Sequence, residues 1–355
     1  MKIGIIGLPQ SGKTTVFSAL SGRNTKIDDY SVKRKELRFG NIKVPDKRID
    51  KIAQIISPKK IIRSEITFVD ETESSRDTYK CFSSSHIKEI DALVDVIRLF
   101  TDETVLHPLG NIDAVRDLEQ LETEVILADL EVIQKRIDKI EKELKGGKKE
   151  YEREYALLKK CKDSLEKEKP LRNLEFNQKD ENILSGFGFL SKKPLMILAN
   201  VDEDRINLPL AEDFQKITDE KKLTAIKFCA KIEAEILELN DDEQRQFLEE
   251  LNIGNSARSK FIKAAYSILD LVSFFTTKND ILKSWTIPRE TKAKDAAGKI
   301  HSDIERGFIK AEVINYEDFS KFGSFSECRK NNALRFEGKD YIVKDGDMID
   351  FRFNV

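Results

Sequence analysis

The chain has 355 residues, of which 39% are hydrophobic and 35% charged, and its 62 Lys and Arg against 64 Asp and Glu give a formal net charge of −2. This length predicts two or three domains of about 150 residues each. The composition excludes a disordered chain, and the charge balance excludes a strongly basic nucleic-acid-binding design for the chain as a whole. Because no stretch approaches the roughly 18 consecutive apolar residues of a membrane helix, and no secretory leader follows the short apolar start, we expect no membrane span and a cytoplasmic location.

The first predicted element is a short strand of β-branched residues, Ile3 to Ile6, followed by a loop and a helix. The loop reads Gly7-Leu8-Pro9-Gln10-Ser11-Gly12-Lys13-Thr14, which is the spacing G-x-x-x-x-G-K-T. Glycines let backbone N–H groups wrap around phosphates at a helix N-terminus, while the lysine reaches the β- and γ-phosphates and the hydroxyl ligates Mg²⁺. The predicted nucleotide-binding residues are Gln10, Ser11, Gly12, Lys13, Thr14 and Thr15.

The next informative element is an alternating run from Glu65 to Val69, a predicted strand that ends at Asp70. A carboxylate there is suited to hold Mg²⁺ together with Thr14, directly or through a water molecule, and the alternative is a carboxylate in a turn after the strand. GTPases continue as D-x-x-G, whereas this chain has the anion Glu73, which is unfavourable beside a triphosphate. Either this segment lies elsewhere or hydrolysis is weak.

Beyond residue 112 the sequence predicts two long helices. Apolar residues from Ile126 to Leu144 recur at alternating spacings of four and three until Gly146-Gly147, and the pattern resumes from Tyr151 to Leu165. Such helices form an antiparallel hairpin with an apolar seam. The lysines and glutamates outside the seam are interpreted either as a solvated surface or as a contact to RNA. Residues 174–188 are expected to form a linker.

A later apolar run, Pro194 to Ala199, predicts a buried parallel strand that leads into residues 200–203, Asn-Val-Asp-Glu. GTPases have the motif N-K-x-D at this position, and the aspartate of that motif recognises guanine. In this chain Val201 replaces the lysine and Glu203 the aspartate, which weakens the case for guanine and keeps GTP as an alternative to ATP. The next strand leads to a Cys-Ala-Lys turn similar to the S-A-K turn of G proteins. The predicted base-binding residues are Asn200, Val201, Glu203 and Ala230.

The C-terminal part changes character, with short predicted strands, a helix over 293–300 and a final hairpin around residues 344–347. It resembles the TGS domain, a ubiquitin-like β-grasp module also found in threonyl-tRNA synthetases and stringent-response proteins. The residues that carry this likeness are 296–298, Ile300-His301 and 307–313. In such a module His301 is interpreted as structural or ligand-binding rather than catalytic.

Almost the whole chain is similar to the YchF family, the Obg-like ATPases. The matching segments are 7–15, 44–46 with 48–50, 115–117, 126–131, 200–203, 229–235 and nearly all of 273–355. The resemblance implies a preference for ATP over GTP, association with ribosomes, and a role in hydrolysis for His107, whose alternative interpretation is an exposed loop histidine. Two sensors of the γ-phosphate differ, because Arg34 occupies the position of the switch I threonine and the D-x-x-G sequence has no counterpart.

The predicted fold class is α/β, a P-loop NTPase domain of the G-domain type with a mostly parallel sheet, an inserted helical hairpin and a C-terminal β-grasp domain. The predicted boundaries are 1–112 and 188–274 for the two parts of the NTPase domain, 113–187 for the coiled-coil arm and 275–355 for the TGS domain. We expect a monomeric, slow Mg²⁺-dependent ATPase that acts as a ribosome- or RNA-associated switch in translation or stress. The alternatives are a nucleotide-binding scaffold without hydrolysis and a GTPase.

Overall fold

The structure is a computed structural model that describes residues 1–22, 37–71, 89–146, 148–253 and 256–354. Arg34 and Glu73, on which the expectation of altered γ-phosphate sensors depends, lie outside these ranges. The chain divides into two compact units, the first formed by Met1–Ile42 and Thr67–Phe261 and the second by Lys43–Ile66 and Ile262–Val355. The second unit thus includes a segment, 43–66, that precedes most of the first unit in the sequence.

The first unit is built on a six-stranded sheet. Its strands are β1 (Lys2–Ile6), β2 (Leu37–Lys43), β4 (Glu65–Glu71), β5 (Ala92–Arg98), β6 (Leu195–Asn200) and β7 (Thr224–Phe228). They are arranged in the order β2-β4-β1-β5-β6-β7, and the pairs from β4 to β7 are parallel. Every residue of β5 and β6 is buried, as is typical of central strands covered on both faces. The carboxyl ends of these strands meet at one edge of the sheet, which is where ligands bind in open α/β folds.

Eight helices are described in or at the end of the first unit: α1 (Lys13–Ser21), α3 (Ala114–Lys145), α4 (Glu152–Leu165), α5 (Gln178–Leu184), α6 (Glu212–Glu220), α7 (Ala230–Ile236), α8 (Asp241–Glu250) and α9 (Ala257–Ile268). In the described part of the chain, no helix is long and apolar enough to cross a membrane.

The predicted helical hairpin is present, with α3 and α4 packed against each other. Its seam buries the side chains that set the sequence period, Ile133, Ile137 and Ile140 on α3 and Leu158, Cys161 and Leu165 on α4. The expected linker over 174–188 is wrong in part, because it contains α5. Asn177, a residue typical of loops, here accepts hydrogen bonds from the backbone N–H of Lys179 and Asp180, each at 3.1 Å, and so caps the start of this helix. Leu184 at its end is buried in the seam.

The second unit contains a second six-stranded sheet. Its strands are β3 (Lys60–Ile62), β8 (Leu271–Lys278), β9 (Ile281–Pro288), β10 (Phe308–Ile314), β11 (Arg335–Glu337) and β12 (Met348–Phe353), and its helices are α2 (Lys47–Ile56), α10 (Ala293–Ile300), α11 (Ser302–Arg306), α12 (Tyr316–Phe322) and α13 (Phe325–Lys330). The strand order is β11-β10-β12-β8-β9-β3. Within this unit His301 is exposed, and its Nδ1 accepts the N–H of Asp303 at 3.1 Å at the start of α11. This contact fits the structural interpretation of His301.

Segment 43–66 is an integral part of the second unit. Ile49 and Ile52 on α2 are fully buried in one cluster with Phe275 and Met348. At the start of the same helix, Arg48 donates to Asp46 and to Asp345, which lies in the turn before β12. Edge strand β3 adds to the sheet by parallel pairing with β9. Apolar burial and ion pairing together therefore hold this segment on the C-terminal fold.

Candidate nucleotide-binding site

The loop between β1 and α1 has the backbone geometry of a phosphate cradle. Gly7 and Gly12 have φ values of 147° and 91°, in the region that side-chain-bearing residues rarely adopt. A Cβ at Gly7 would lie 2.6 Å from the carbonyl oxygen of Val96 on the neighbouring strand, so only glycine fits there. Lys13 begins α1, and its Nζ donates to the carbonyl oxygens of Gly7 and Leu8 at 3.0 and 2.9 Å. The lysine thus lies across the mouth of the loop.

Ser11 is the polar residue of the loop whose bonding is incomplete. Ser11 is buried, and its Oγ atom has no hydrogen-bond partner among the described residues. A buried hydroxyl without a partner is unfavourable, and a phosphate oxygen of a nucleotide is a suitable acceptor. Thr14 and Thr15 on the first turn of α1 are exposed, and no side chain is described as capping the helix start at Gly12. The N-terminus of α1 is therefore available to an anion.

Asp70 and Thr14 are the two residues expected to face Mg²⁺. Asp70 is buried at 2% exposure near the end of β4, where it lies opposite Ile5 of β1. Asp70 is consequently at the carboxyl end of β4, and Thr14, on the first turn of α1, follows the carboxyl end of β1. Within the described residues, no cluster of three or more His, Cys, Asp or Glu side chains could hold a metal ion. A carboxylate and a hydroxyl suit Mg²⁺ when phosphate oxygens and water complete its six ligands.

Asn200 joins the phosphate loop to the turn after β7. The side chain is 4% exposed, and its Nδ2 donates to the carbonyl oxygen of Ser11 at 3.1 Å while its Oδ1 accepts the N–H of Ala230 at 3.4 Å. Val201 is buried beside Cys229 in an apolar cluster, and Glu203 is exposed at the start of a short 3₁₀ turn, Glu203–Arg205. The structure therefore brings Asn200, Ser11 and Ala230 together and leaves the Glu203 side chain facing solvent.

His107 is held by hydrogen bonds in a loop before α3. It is 9% exposed, and its Nε2 lies 2.9 Å from Oδ2 of Asp117, while Nδ1 accepts the N–H of Leu109 at 3.2 Å. Because Nδ1 is an acceptor, the ring proton is on Nε2 and is donated to Asp117. Arg116 also donates to Asp117, at 2.8 Å. The interpretation of His107 as an exposed loop residue is thus wrong.

Two charged residues that interrupt the apolar run of β5 were not assigned a role from the sequence. Asp95 is buried opposite Ile6, and burial raises its pKa well above the ordinary value, an effect that Lys13 opposes. Burial thus disfavours the charged form of this carboxyl relative to its form in water. Arg98 at the strand end is 3% exposed and donates to three carbonyl oxygens of the following loop. A charge inside an otherwise apolar strand is the signal that could have identified both.

Comparison with known proteins covers the whole chain. The family model YchF-GTPase_C, described as a protein of unknown function, matches residues 271–354, and MMR_HSR1, described as a 50S ribosome-binding GTPase, matches residues 2–129. The ribosome-binding ATPase YchF of Bacillus subtilis is 37% identical over 361 residues, with 99% of each chain covered. This chain belongs to the YchF family.

Other YchF proteins agree with this assignment. The ribosome-binding ATPase YchF of Escherichia coli O157:H7 is 35% identical, over 100% of this chain and 99% of its own length. The solved YchF GTPase of Schizosaccharomyces pombe has a TM-score of 0.85 at 26% identity, and the match covers 99% of this chain and 97% of that one. A GTP-binding protein of Pyrococcus horikoshii OT3, at 18% identity and a TM-score of 0.62, shares the fold. The predicted family and the α/β P-loop fold are confirmed.

Proposed function

We propose that this YchF-family protein is a slow, Mg²⁺-dependent ATPase of the Obg-like type that acts as a switch on the ribosome. The observation that carries this proposal is the pair of hydrogen bonds by which Asn200 connects Ser11 of the phosphate loop to Ala230 of the base-side turn. A single buried side chain thereby links the loop that we assign to the phosphates with the turn that we assign to the base. Curated relatives of this chain carry the name ribosome-binding ATPase.

The phosphates are assigned to the loop and the first turn of α1, and the base to the turns after β6 and β7. The phosphate-binding residues are Gln10, Ser11, Gly12, Lys13, Thr14 and Thr15, and the base-binding residues are Asn200, Val201, Glu203 and Ala230. Thr14 and Asp70 would hold Mg²⁺, which neutralises the negative charge that develops on the phosphates during hydrolysis. The Lys13 Nζ, now on two loop carbonyls, would exchange these neutral acceptors for charged phosphate oxygens.

ATP is the preferred nucleotide in this proposal because of the Glu203 carboxylate. A carboxylate accepts hydrogen bonds, and the adenine N6 amino group is a donor at the edge where guanine carries an acceptor oxygen. The names of the relatives include both ATPase and GTPase. A competition titration of ATP against GTP tests this preference.

The role of His107 separates a hydrolysing switch from a scaffold that only binds nucleotide. Its Nε2–H is committed to the buried Asp117, and this contact favours the scaffold, since the imidazole is already occupied. If His107 acts in hydrolysis, His107→Ala should lower the single-turnover rate by about 100-fold, the usual range for a lost acid–base group. His301→Ala is the matched control, because it removes an exposed histidine of the second unit. Equal, measurable rates for the His107 variant and its parent would remove His107 from the hydrolysis step, whereas a parent that binds ATP without hydrolysing it would favour the scaffold.

The ribosomal contact is assigned to the second unit and the helical arm, with RNA as the partner. Phe336 on β11 is 56% exposed, and Lys310 Nζ lies 4.1 Å from the centre of its ring. Arg329 also faces this ring and shares the buried carboxylate of Glu312 with Arg352. An exposed ring beside cations is suited to stack on an RNA base and pair with its phosphates.

Ribosome co-sedimentation tests this surface. Phe336→Ala should weaken binding by about 5- to 150-fold, because a base stacked on an aromatic ring contributes roughly 1–3 kcal/mol. Ile309→Ala, which removes another exposed apolar side chain of the same unit, is the matched control and should bind as the parent does. Equal binding by both variants would remove Phe336 from the contact while leaving the nucleotide assignment untouched.

A further inference from the structure

The loop between β5 and His107 lies directly beside the turn that follows β6. The two strands are parallel, with Arg98 opposite Asn200, and the N–H of Leu99 donates to the carbonyl oxygen of Asn200 at 2.8 Å. The chain on the β5 side then continues to His107, and on the β6 side to Asp202 and Glu203. The loop that carries His107 and the proposed base-binding turn therefore leave the sheet as neighbours.

Arg98 holds this loop by hydrogen bonds from its guanidinium group to backbone carbonyl oxygens. Its Nε donates to the carbonyl oxygen of Phe100 at 3.2 Å, and its Nη2 donates to those of Asp102 and Val105 at 3.2 and 2.9 Å. The guanidinium also stacks on the Phe100 ring at 4.5 Å. Residues 101–104 are exposed, so hydrogen bonds rather than burial define the course of this loop.

Asp202 adds a hydrogen bond from the other strand. Its Oδ2 accepts the N–H of Thr101 at 2.9 Å, so the carboxylate reaches across from the base-binding turn to the loop. Asp202 follows Val201 and precedes Glu203, and a shift of this turn toward a bound base moves the acceptor of the Thr101 hydrogen bond with it. The ring of Phe100, next to Thr101, is also close to Gly12 of the phosphate loop, since a Cβ at Gly12 would lie 3.5 Å from its Cε1.

We propose that Asp202 is a positioning residue that couples occupation of the base site to the order of the loop that carries His107. This coupling rests on the proposed function, and it adds a route by which binding of the base affects the loop that carries His107. Because Asp202 lies on the base-binding turn, its hydrogen bond to Thr101 should respond only to a ligand that contacts this turn. A triphosphate without a base should consequently leave the loop as it is in the free protein, whereas ATP should order it.

Backbone hydrogen exchange of residues 99–107 tests this coupling in the full-length chain. The probes are ATP and inorganic tripolyphosphate, each with Mg²⁺, and the variants are Asp202→Ala and Asp202→Asn. In the parent we expect ATP to slow exchange of the Thr101 amide by about fivefold or more, and tripolyphosphate to change it less than about twofold. Asp202→Ala should lose the ATP-specific slowing, and Asp202→Asn, which keeps an acceptor oxygen, should retain most of it.

Asp204→Ala is the matched control, because it removes an exposed carboxylate from the same turn. All three variants should bind ATP within about threefold of the parent, since the assigned base contacts are kept. The single-turnover rate should fall by about fivefold in Asp202→Ala alone. A purely structural role would lower ATP binding or melting temperature without removing the difference between ATP and tripolyphosphate.

The coupling is refuted if Asp202→Ala keeps the ATP-specific slowing, or if ATP and tripolyphosphate slow exchange equally in the parent. These outcomes are distinguishable from failure of the proposed function. A parent that binds no nucleotide refutes the proposed function by titration alone. A parent that binds ATP without hydrolysing it leaves the exchange comparison as a complete test of the coupling.

Discussion

Gly12→Ala is the substitution whose consequence follows most directly from the geometry of the phosphate loop. Gly12 has a φ of 91°, and an added Cβ would lie well inside 3.0 Å of the Asn200 Nδ2 atom. That amide is not free to move aside, because it is buried and bonded to Ser11 and Ala230. The substitution therefore has to distort the backbone, displace Asn200, or do both.

The cost has two parts. A residue with a side chain in the left-handed region is strained by about 1–3 kcal/mol. Displacing Asn200 leaves the buried carbonyl of Ser11 without its donor, at about 1–3 kcal/mol. Since the variant relaxes in part, we expect a total near 2–4 kcal/mol. Without ATP, the loop of the variant relaxes to another conformation and avoids this strain. It has to return to the strained conformation to bind ATP, so ATP affinity should fall by roughly 30- to 700-fold at 1.4 kcal/mol for each factor of ten.

A fluorescent-ATP titration measures this loss, and Gly110→Ala provides the control. Gly110 has a φ of 93°, and a Cβ there would meet no atom within 4 Å. The Gly110→Ala variant thus has the same backbone strain without the collision. Gly110 is also not one of the proposed nucleotide-binding residues. The Gly110 variant should bind ATP within about threefold of the parent. If both variants bind equally well, the reasoning that Asn200 and Gly12 fit together as one binding unit is refuted.

Three further outcomes are expected. Lys13→Ala should abolish ATP binding, because the cation of the phosphate loop is lost; a titration with parental affinity would contradict this. ATP should displace labelled ATP better than GTP does because of Glu203, and a tenfold advantage for GTP would be the opposite of the expected result. Asp129, buried where it accepts the N–H of Leu190 and of Ser191, has a pKa raised by burial from 3.8 to about 6. Its favourable contribution is complete below pH 3.8 and is lost as the pH rises through 6, so the stability of the parent relative to Asp129→Asn should fall by roughly 2 kcal/mol between pH 4 and 7 in urea unfolding. A difference that does not vary with pH would show that this carboxyl titrates alike in the folded and unfolded chains.

The parts of the structure that sequence reasoning predicted are those with a local signal. The phosphate loop was predicted because Gly7, Gly12 and Lys13 have a fixed spacing between a strand and a helix. The helical hairpin was predicted because the seam of α3 repeats within a few residues. Both signals are complete within a short stretch of chain, so they do not depend on which distant segments meet.

The parts that were missed depend on contacts between distant segments. Pairing of Lys60 with Ile281 in the second sheet follows from the tertiary fold, and no local pattern in the three residues of β3 indicates it. The contact between His107 and Asp117 has a shorter range, but it also requires the loop to fold back on the first turn of α3, and no pattern around His107 indicates this. Asn177 shows a different difficulty, since the same residue type favours both loops and helix starts, and only the helix that follows decides between them.

The packing of α2 on the C-terminal sheet has a practical consequence for experiments that cut the protein into pieces. Terminating translation after Phe261 would leave Ile49 and Ile52 without the Phe275 and Met348 side chains that cover them. The apolar face of α2 would then be exposed in the shortened polypeptide and would bind chaperones or other copies of the same chain. A faithful dissection has to excise residues 43–66 as well and bridge the gap with a linker. A loss of activity after simple C-terminal deletion therefore does not assign that activity to the deleted residues.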